Sequence, residues 1–344
     1  MMIKILKDKH KTVSIVGMAK NVGKTVTLNE LINQGLYHSV ALGITSIGRD
    51  GEEKDLVSNT EKPRIFVHCG TIITTAEKLL KKSSIKYEIL YVMKNTTVLG
   101  RILIIRVLRN GYVDISGPAN NKEISLASEI MHSYGADLVI IDGAIDRTSS
   151  ASPAIAEAAV LSTGAAVSRN LSSLINETVY KTKLLSLEQI EDGNLRKKVY
   201  NILFDNKIAV INEQGLIEII NVKAAIGSAK KIATYIKENS ILVIPGALTE
   251  MFLKNFSSYI GRKKIKIVVR DGTRIFVKSD RWLFYESIGI DIKVFDSIDI
   301  IAITVNPYSP KGYFFESKLI IDGLKKYIVD IPIIDVLKEE GYGY

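Results

Sequence analysis

At 344 residues the chain exceeds one average domain, and two are expected. Apolar residues make up 47% and charged residues 24%, ordinary globular proportions, and no apolar run approaches the roughly 18 residues of a membrane span. A net charge of +9 raises nucleic acid as a partner, while one cysteine (Cys69) excludes an intramolecular disulfide framework and four histidines are too few to suggest a zinc cluster.

Residues 1–10 form a charged lead-in, expected as an edge strand; MMIKILKDKHKTV alternates apolar and basic residues too briefly for a signal peptide, so a cytoplasmic location is expected. The stretch that organises the chain follows. An apolar run from Val13 to Val16 breaks at Gly17, a loop ends in Gly23-Lys24-Thr25, and Val26-Thr27-Leu28-Asn29 opens a helical pattern. Strand, glycine-bounded loop and helix are the context in which backbone N–H groups form an anion nest under the positive end of a helix. Gly17, Lys20, Asn21, Val22, Gly23, Lys24, Thr25 and Val26 are thus the candidate nucleotide-binding residues, with Lys24 on the β- and γ-phosphates and the Thr25 hydroxyl on Mg²⁺. The spacing is G-x-x-x-x-x-G-K-T, one residue longer than the common loop, because Met18 stands where a glycine would.

The helix is expected to stop near Gly35, and Ser39 to Ile44 to form the second strand. Beyond it lie Asp50, Glu52 and Asp55, which either supply a second metal contact, orient a water, or form a solvated acidic turn; Arg49 is a candidate phosphate contact. Asp50 is carried forward with Lys24 as a candidate catalytic residue. Strands are expected at 64–69, 87–93 and 102–107, the last two either forming an antiparallel extension or lying beside the sheet, with a short helix from Thr74 to Lys82 and a helix capped by Asn120 or Asn121. Then Leu138-Val139-Ile140-Ile141 closes on Asp142-Gly143, the form of a Walker B strand whose carboxylate accepts a Mg²⁺-bound water. Asp142 is accordingly both a candidate catalytic and a candidate metal residue. Asp146 and Arg147 read as a salt pair leading a helix.

Ser152-Pro153 is expected to open a short helix before a strand at 160–165; helices are expected at 171–184 and 187–200. A hairpin around Gln214-Gly215 and further strand–helix units follow, with strands at 241–244, 265–270, 291–295 and 299–305. The densest basic run, Arg262-Lys263-Lys264-Ile265-Lys266, has no interleaved aromatics and leads into Val268-Val269, which reads as a solvated strand face and not as a nucleic-acid site. Loops 245–248 and 306–312 fall at strand ends beside an apolar Tyr313-Phe314-Phe315 patch. The expected architecture is α/β: a P-loop NTPase-type parallel sheet flanked by helices over 1–200, then a smaller α/β domain over 201–344 that binds a partner or ligand. The chain contains no Asn-Lys-x-Asp, so ATP is favoured over GTP.

The loop Gly17-Met18-Ala19-Lys20-Asn21-Val22-Gly23-Lys24-Thr25 resembles those of dethiobiotin synthetase and the cobyrinic and cobyric acid synthases, although no Cys/His pair suits the glutaminase domain of the latter. With ADLVIIDGAIDR and the overall length, it also resembles an accessory subunit found beside adenosylcobalamin-dependent lysine 5,6-aminomutase and ornithine aminomutase, which works with a MutS-related ATPase as a reactivating factor. That resemblance implies Mg-ATP held by Lys24, Thr25 and Asp142, switch loops at 45–55 and 143–150, and a mutase or second reactivase subunit as partner. A homodimer is a further assembly it allows. The first resemblance implies instead an ATP-dependent ligase or kinase acting on a small carboxylate, with Lys20 or Lys24 neutralising the developing charge. A nucleotide-binding scaffold without turnover is the third class.

Overall fold

The computed structural model describes residues 2–47, 65–143 and 151–337. Two compact units emerge, one comprising residues up to Val179 and from Ile300 onward, the other Tyr180–Asp299.

In the first unit, helix α1 (Met2–Lys9) precedes strand β1 (Thr12–Gly17), α2 (Lys24–Tyr37) and β2 (Leu42–Ser46). After β3 (Ile65–Val67) and β4 (Ile72–Ala76) come α3 (Glu77–Leu80), β5 (Lys86–Thr97), β6 (Gly100–Arg109) and β7 (Gly111–Val113). Helix α4 (Asn121–Ser133), β8 (Leu138–Asp142), β9 (Ala158–Gly164) and α5 (Leu171–Leu185) follow, and the unit boundary falls within α5. Among the described residues nine strands, including two described below, form one sheet. β1 is buried along its whole length, as a central strand covered on both faces must be. It pairs in parallel with β8 and β9, and β2 pairs in parallel with β8 and β4. The strands expected at 87–93 and 102–107 take the first of their two alternatives, an antiparallel extension. β6 pairs antiparallel with both β4 and β5 at one end of the order, so the sheet as a whole is mixed and not purely parallel.

Alternation along β8 sets the two layers. Leu138 and Ile140 face α1 and α2, packing with Met2, Ile3, Leu6, Leu28 and Leu31, while Val139 and Ile141 face Ile124, Ala127 and Met131 of α4. These four apolar side chains of β8 are fully buried, each contributing about 1.5–3 kcal/mol of transfer free energy. Residues 2–9 are therefore helical and not the expected strand, since Met2, Ile3 and Leu6 recur at helical spacing. The Gln34 side chain accepts the Ile3 N–H at 2.9 Å, satisfying a donor that the first turn leaves open. The helix expected over 74–82 is shortened to α3, its first part being taken by β4. Ser152-Pro153 opens only a turn, in which Ile155 N–H donates to the Ser152 carbonyl.

The second unit contains α6 (Gly193–Phe204), the hairpin β10 (Ile208–Ile211) and β11 (Ile217–Ile220), α7 (Ala229–Ala233), β12 (Ile241–Ile244) and β13 (Leu248–Thr249). It continues through α8 (Glu250–Ile260), β14 (Ile265–Val269), β15 (Ile275–Phe276), α9 (Ser279–Ser287) and β16 (Ile290–Val294). Its five-stranded sheet runs β11-β10-β12-β14-β16. One face packs on Phe252, Phe256 and Trp282, and the other on Val199, Ile202 and Leu203 of α6. The Asp192 carboxylate caps α6 by accepting Leu195 N–H at 2.7 Å, so the helix starts well after residue 187, where it was expected.

The chain then returns to the first sheet. β17 (Asp299–Asn306), α10 (Ser317–Lys325) and β18 (Ile333–Asp335) complete the order β18-β17-β9-β1-β8-β2-β4-β6-β5. The division expected after residue 200, with everything beyond it in a second domain, is thus replaced by an inserted unit followed by two strands of the first sheet.

Candidate functional site

β1 delivers Gly17 to the carboxyl end of the sheet, between the ends of β8 and β9. A Cβ on Gly17 would come within 2.9 Å of Val22 and of the Lys24 side chain, so the loop folds back over a residue without a side chain. The turn is closed by two left-handed residues, Asn21 (φ 61) and Gly23 (φ 93), each of a type that tolerates this conformation. Val22 is buried beneath the loop and anchors it. Met18 N–H donates to the Ser162 carbonyl of β9 at 3.0 Å, and Thr27 N–H to the Gly23 carbonyl at 2.9 Å.

Gly23 is the N-cap of α2 and provides no capping side chain, and no acidic residue lies in the first turn. The first-turn N–H groups and the dipole of a 14-residue helix, uncapped by any side chain at Gly23, are therefore directed at the loop. Lys24 crosses the loop and donates to the Gly143 carbonyl at 2.6 Å. Asp142 stands at the end of β8, beside Ile15 of β1 and Ser46 of β2. Burial holds its carboxyl above the ordinary carboxylate range, with the Lys24 ammonium pulling in the opposite direction. The structure thus brings Gly17, Lys20 to Val26 and Asp142 to one sheet end. Asp50, Glu52, Asp55, Arg49, Asp146 and Arg147 lie outside the described residues, as does most of each loop expected to switch.

Among the described residues no cluster of three His, Cys, Asp or Glu side chains is arranged to hold a metal. A Mg²⁺ ion shared with phosphates asks for less: one or two protein oxygens, the remainder being phosphate and water. The Thr25 hydroxyl on the first turn of α2 and the Asp142 carboxylate at the end of β8 are oxygen donors of the kind such an ion takes.

The residue the sequence did not tie to this site is Asn306. Its carboxamide Nδ2 donates to the Asn21 carbonyl at 3.1 Å, and its Oδ1 accepts Tyr308 N–H at 3.1 Å. Its backbone carbonyl accepts Ala165 N–H at 2.9 Å, which Gly164 makes possible, since a Cβ there would lie 2.0 Å from that oxygen. Beneath the loop, the hydroxyls of Thr27, Ser162 and Thr304 form a buried triangle with contacts of 2.8–3.4 Å, joining α2 to β9 and β17. Residues 307–315 fold into a tight loop in which Tyr308 faces Phe314. The Tyr313 hydroxyl bonds the Ala165 carbonyl at 2.7 Å, and the Arg169 guanidinium lies 5.4 Å over the Tyr313 ring. The Asn-Pro at a strand end was visible in the sequence; its strand's return to the first sheet was not.

Compared with family models and with curated protein sequences, the chain matches neither a family model nor a curated protein. Among the described residues, no helix is long and apolar enough to cross a membrane.

Proposed function

We propose that the chain binds and hydrolyses Mg-ATP at the loop Gly17–Thr25. The observation that carries this reading is the left-handed, glycine-bounded loop opening an uncapped helix, with Lys24 extended toward the end of β8 next to Asp142. The loop amides would receive the phosphates, and Lys24 would exchange the Gly143 carbonyl for a β- or γ-phosphate oxygen. Thr25 and Asp142 would hold Mg²⁺, which supplies charge neutralisation on the phosphates. Asn306 and the 307–315 loop would wall the base, and the absence of Asn-Lys-x-Asp favours adenine.

On this reading the protein is an accessory factor that uses the nucleotide cycle to reactivate a cobalamin-dependent aminomutase, alone or with a second reactivase subunit. The resemblance of the loop and of Asp142-Gly143 to that family supports it. Nucleotide states that contact a partner differently would deliver the conformational work. The test is Mg-dependent ATP and GTP binding, then hydrolysis with and without an inactivated aminomutase. ATP turnover accelerated by the inactivated enzyme supports this reading, and a rate indifferent to it removes the reactivase assignment.

A cavity of about 330 Å³ favours the second reading, an ATP-dependent ligase or kinase. It is floored by Met93 and Ile102 and rimmed by Asn95, Thr97, Asn120 and Glu123. It adjoins the end of β2, because Gly117, next to its lining residue Pro118, packs so closely on the Ser46 carbonyl that a Cβ would come within 1.8 Å. Turnover on a small carboxylate without a protein partner would decide for this reading.

A further inference from the structure

We propose that the inserted unit Tyr180–Asp299 carries a second small-molecule site, distinct from the phosphate loop, that takes a nucleoside monophosphate or a closely similar phosphorylated heteroaromatic. The site is a cavity of about 430 Å³ lined by Arg196, Lys197, Tyr200, Asn201 and Phe295. That volume is within the roughly 300–1,000 Å³ of small-molecule pockets. It lies between α6 and Phe295, the residue just past the carboxyl end of β16. Phe295 directly follows β16, and its N–H is tied to the Val269 carbonyl at 2.8 Å; Asp296 N–H is tied to the Arg270 carbonyl at 2.9 Å. The floor is therefore fixed by the sheet itself.

The four α6 residues stand at i, i+1, i+4 and i+5, two adjacent rows on one helix face. They divide the work. Arg196 is fully committed: it donates to the Ile190 and Phe295 carbonyls at 3.1 and 2.6 Å, pairs with Asp296 at 3.1 Å, and stacks 4.3 Å from the Phe295 ring centre. It immobilises Phe295 and neutralises the nearest carboxylate. Tyr200 stands 6.1 Å from Phe295 and is stacked on Phe204 at 5.9 Å, yet it is 50% exposed and Phe204 73%. Lys197 and Asn201, one turn apart and both exposed, have no side-chain partner among the described residues.

An ordinary solvated helix face also carries lysine and asparagine, but it does not spend an arginine on fixing a ring while leaving two stacked aromatics in water. The free groups specify the ligand. The aromatic surface receives a planar ring, the Asn201 carboxamide offers a donor and an acceptor to a heteroaromatic edge, and the Lys197 ammonium takes an anion. A metal ion lacks ligands here because Asp296 is already paired, and a lipid chain would meet three polar residues out of five.

The test uses the full chain carrying Lys24→Ala, so that the phosphate loop is disabled whether or not it binds ATP. AMP, UMP and ribose 5-phosphate are titrated by calorimetry, with saturation-transfer NMR to identify the ligand protons in contact. The expected result is AMP binding that persists in Lys24→Ala, with saturation on ring protons, and ribose 5-phosphate weaker by about tenfold or more, the value of one base–aromatic stack. Tyr200→Ala and the surface change Lys197→Glu should each weaken AMP by at least a similar factor, circular dichroism verifying the fold. Absence of AMP binding at millimolar concentration, or binding indifferent to both changes, overturns the proposal. So does a single-stranded oligonucleotide that binds much more tightly than AMP, which would make the face a nucleic-acid surface.

Discussion

The carboxamide of Asn306 donates to the backbone carbonyl of Asn21 at 3.1 Å, joining two residues 285 positions apart in the sequence. The left-handed turn of the Gly17–Thr25 loop is thus held by a side chain from the far end of β17. Asn306→Ala removes that support and, on the proposed reading, one contact with the base. Since a neutral hydrogen bond contributes about 1 kcal/mol, ATP affinity should fall roughly fivefold. Calorimetric titration of ATP checks this, and an unchanged affinity would separate Asn306 from the nucleotide site.

Lys24→Ala should weaken Mg-ATP more strongly, by roughly ten- to hundredfold, as the loss of a hydrogen bond to a charged group of about 1.5–3 kcal/mol implies. Binding and steady-state hydrolysis measured on the same preparation would show both lost together.

Gly164→Ala tests the packing from the opposite direction. Its Cβ would lie 2.0 Å from the Asn306 carbonyl oxygen, a backbone atom that cannot swing away. Overpacking of this kind typically costs about 1–3 kcal/mol, and a displaced Asn306 would carry the nucleotide defect with it. Urea unfolding and ATP titration of one variant should report both effects.

Lys181 of α5 is half-buried, and burial holds its ammonium below the ordinary lysine value of 10.5. The folded state penalises the charged form, so the cost is full below the folded value and disappears above the unfolded one. Lys181→Met should therefore stabilise the protein at neutral pH, the advantage shrinking as pH rises toward 10.5. Urea midpoints of both proteins across that range give the measurement, and a gap that widens with pH would contradict it.

Glu77 is the opposite case: its hydrogen bonds from Arg101 hold its carboxyl below the ordinary value of 4.5. The depressed group contributes stability above that value and loses it as pH falls through the folded one. The difference in melting temperature between the parent and Glu77→Gln should be visible at neutral pH and vanish in acid.

Local signals in the sequence survived best. The strand–glycine–helix junction at Gly17 to Thr25 and the apolar run closing on Asp142 each depend on neighbours within a few residues, and both take the expected form. The hairpin at Gln214-Gly215 does too, with Gly215 at φ 76. The partner strand of a run such as Ile300 to Val305 is a different matter. Its apolar residues suit either sheet equally, and only the completed order of nine strands places it beside β9. Asn306 was hidden for the same reason. At the N-terminus, Met2, Ile3 and Leu6 fit a helix, yet over eight residues the basic residues between them imitate strand alternation.

The insertion after β9 also has a consequence for biosynthesis. β9 is buried along all seven residues, but β17, its neighbour on one side, is separated from it in the chain by the whole of Tyr180–Asp299. At ribosomal rates of about 5–20 residues per second, the nascent sheet must wait on the order of ten seconds with that edge uncovered. Open apolar edges invite unwanted strand pairing, so the emerging chain passes through an interval of vulnerability that ends when β17 docks. Docking brings Asn306 to the loop at the same moment. Competence for nucleotide would then be acquired late, as a sign that the sheet has closed.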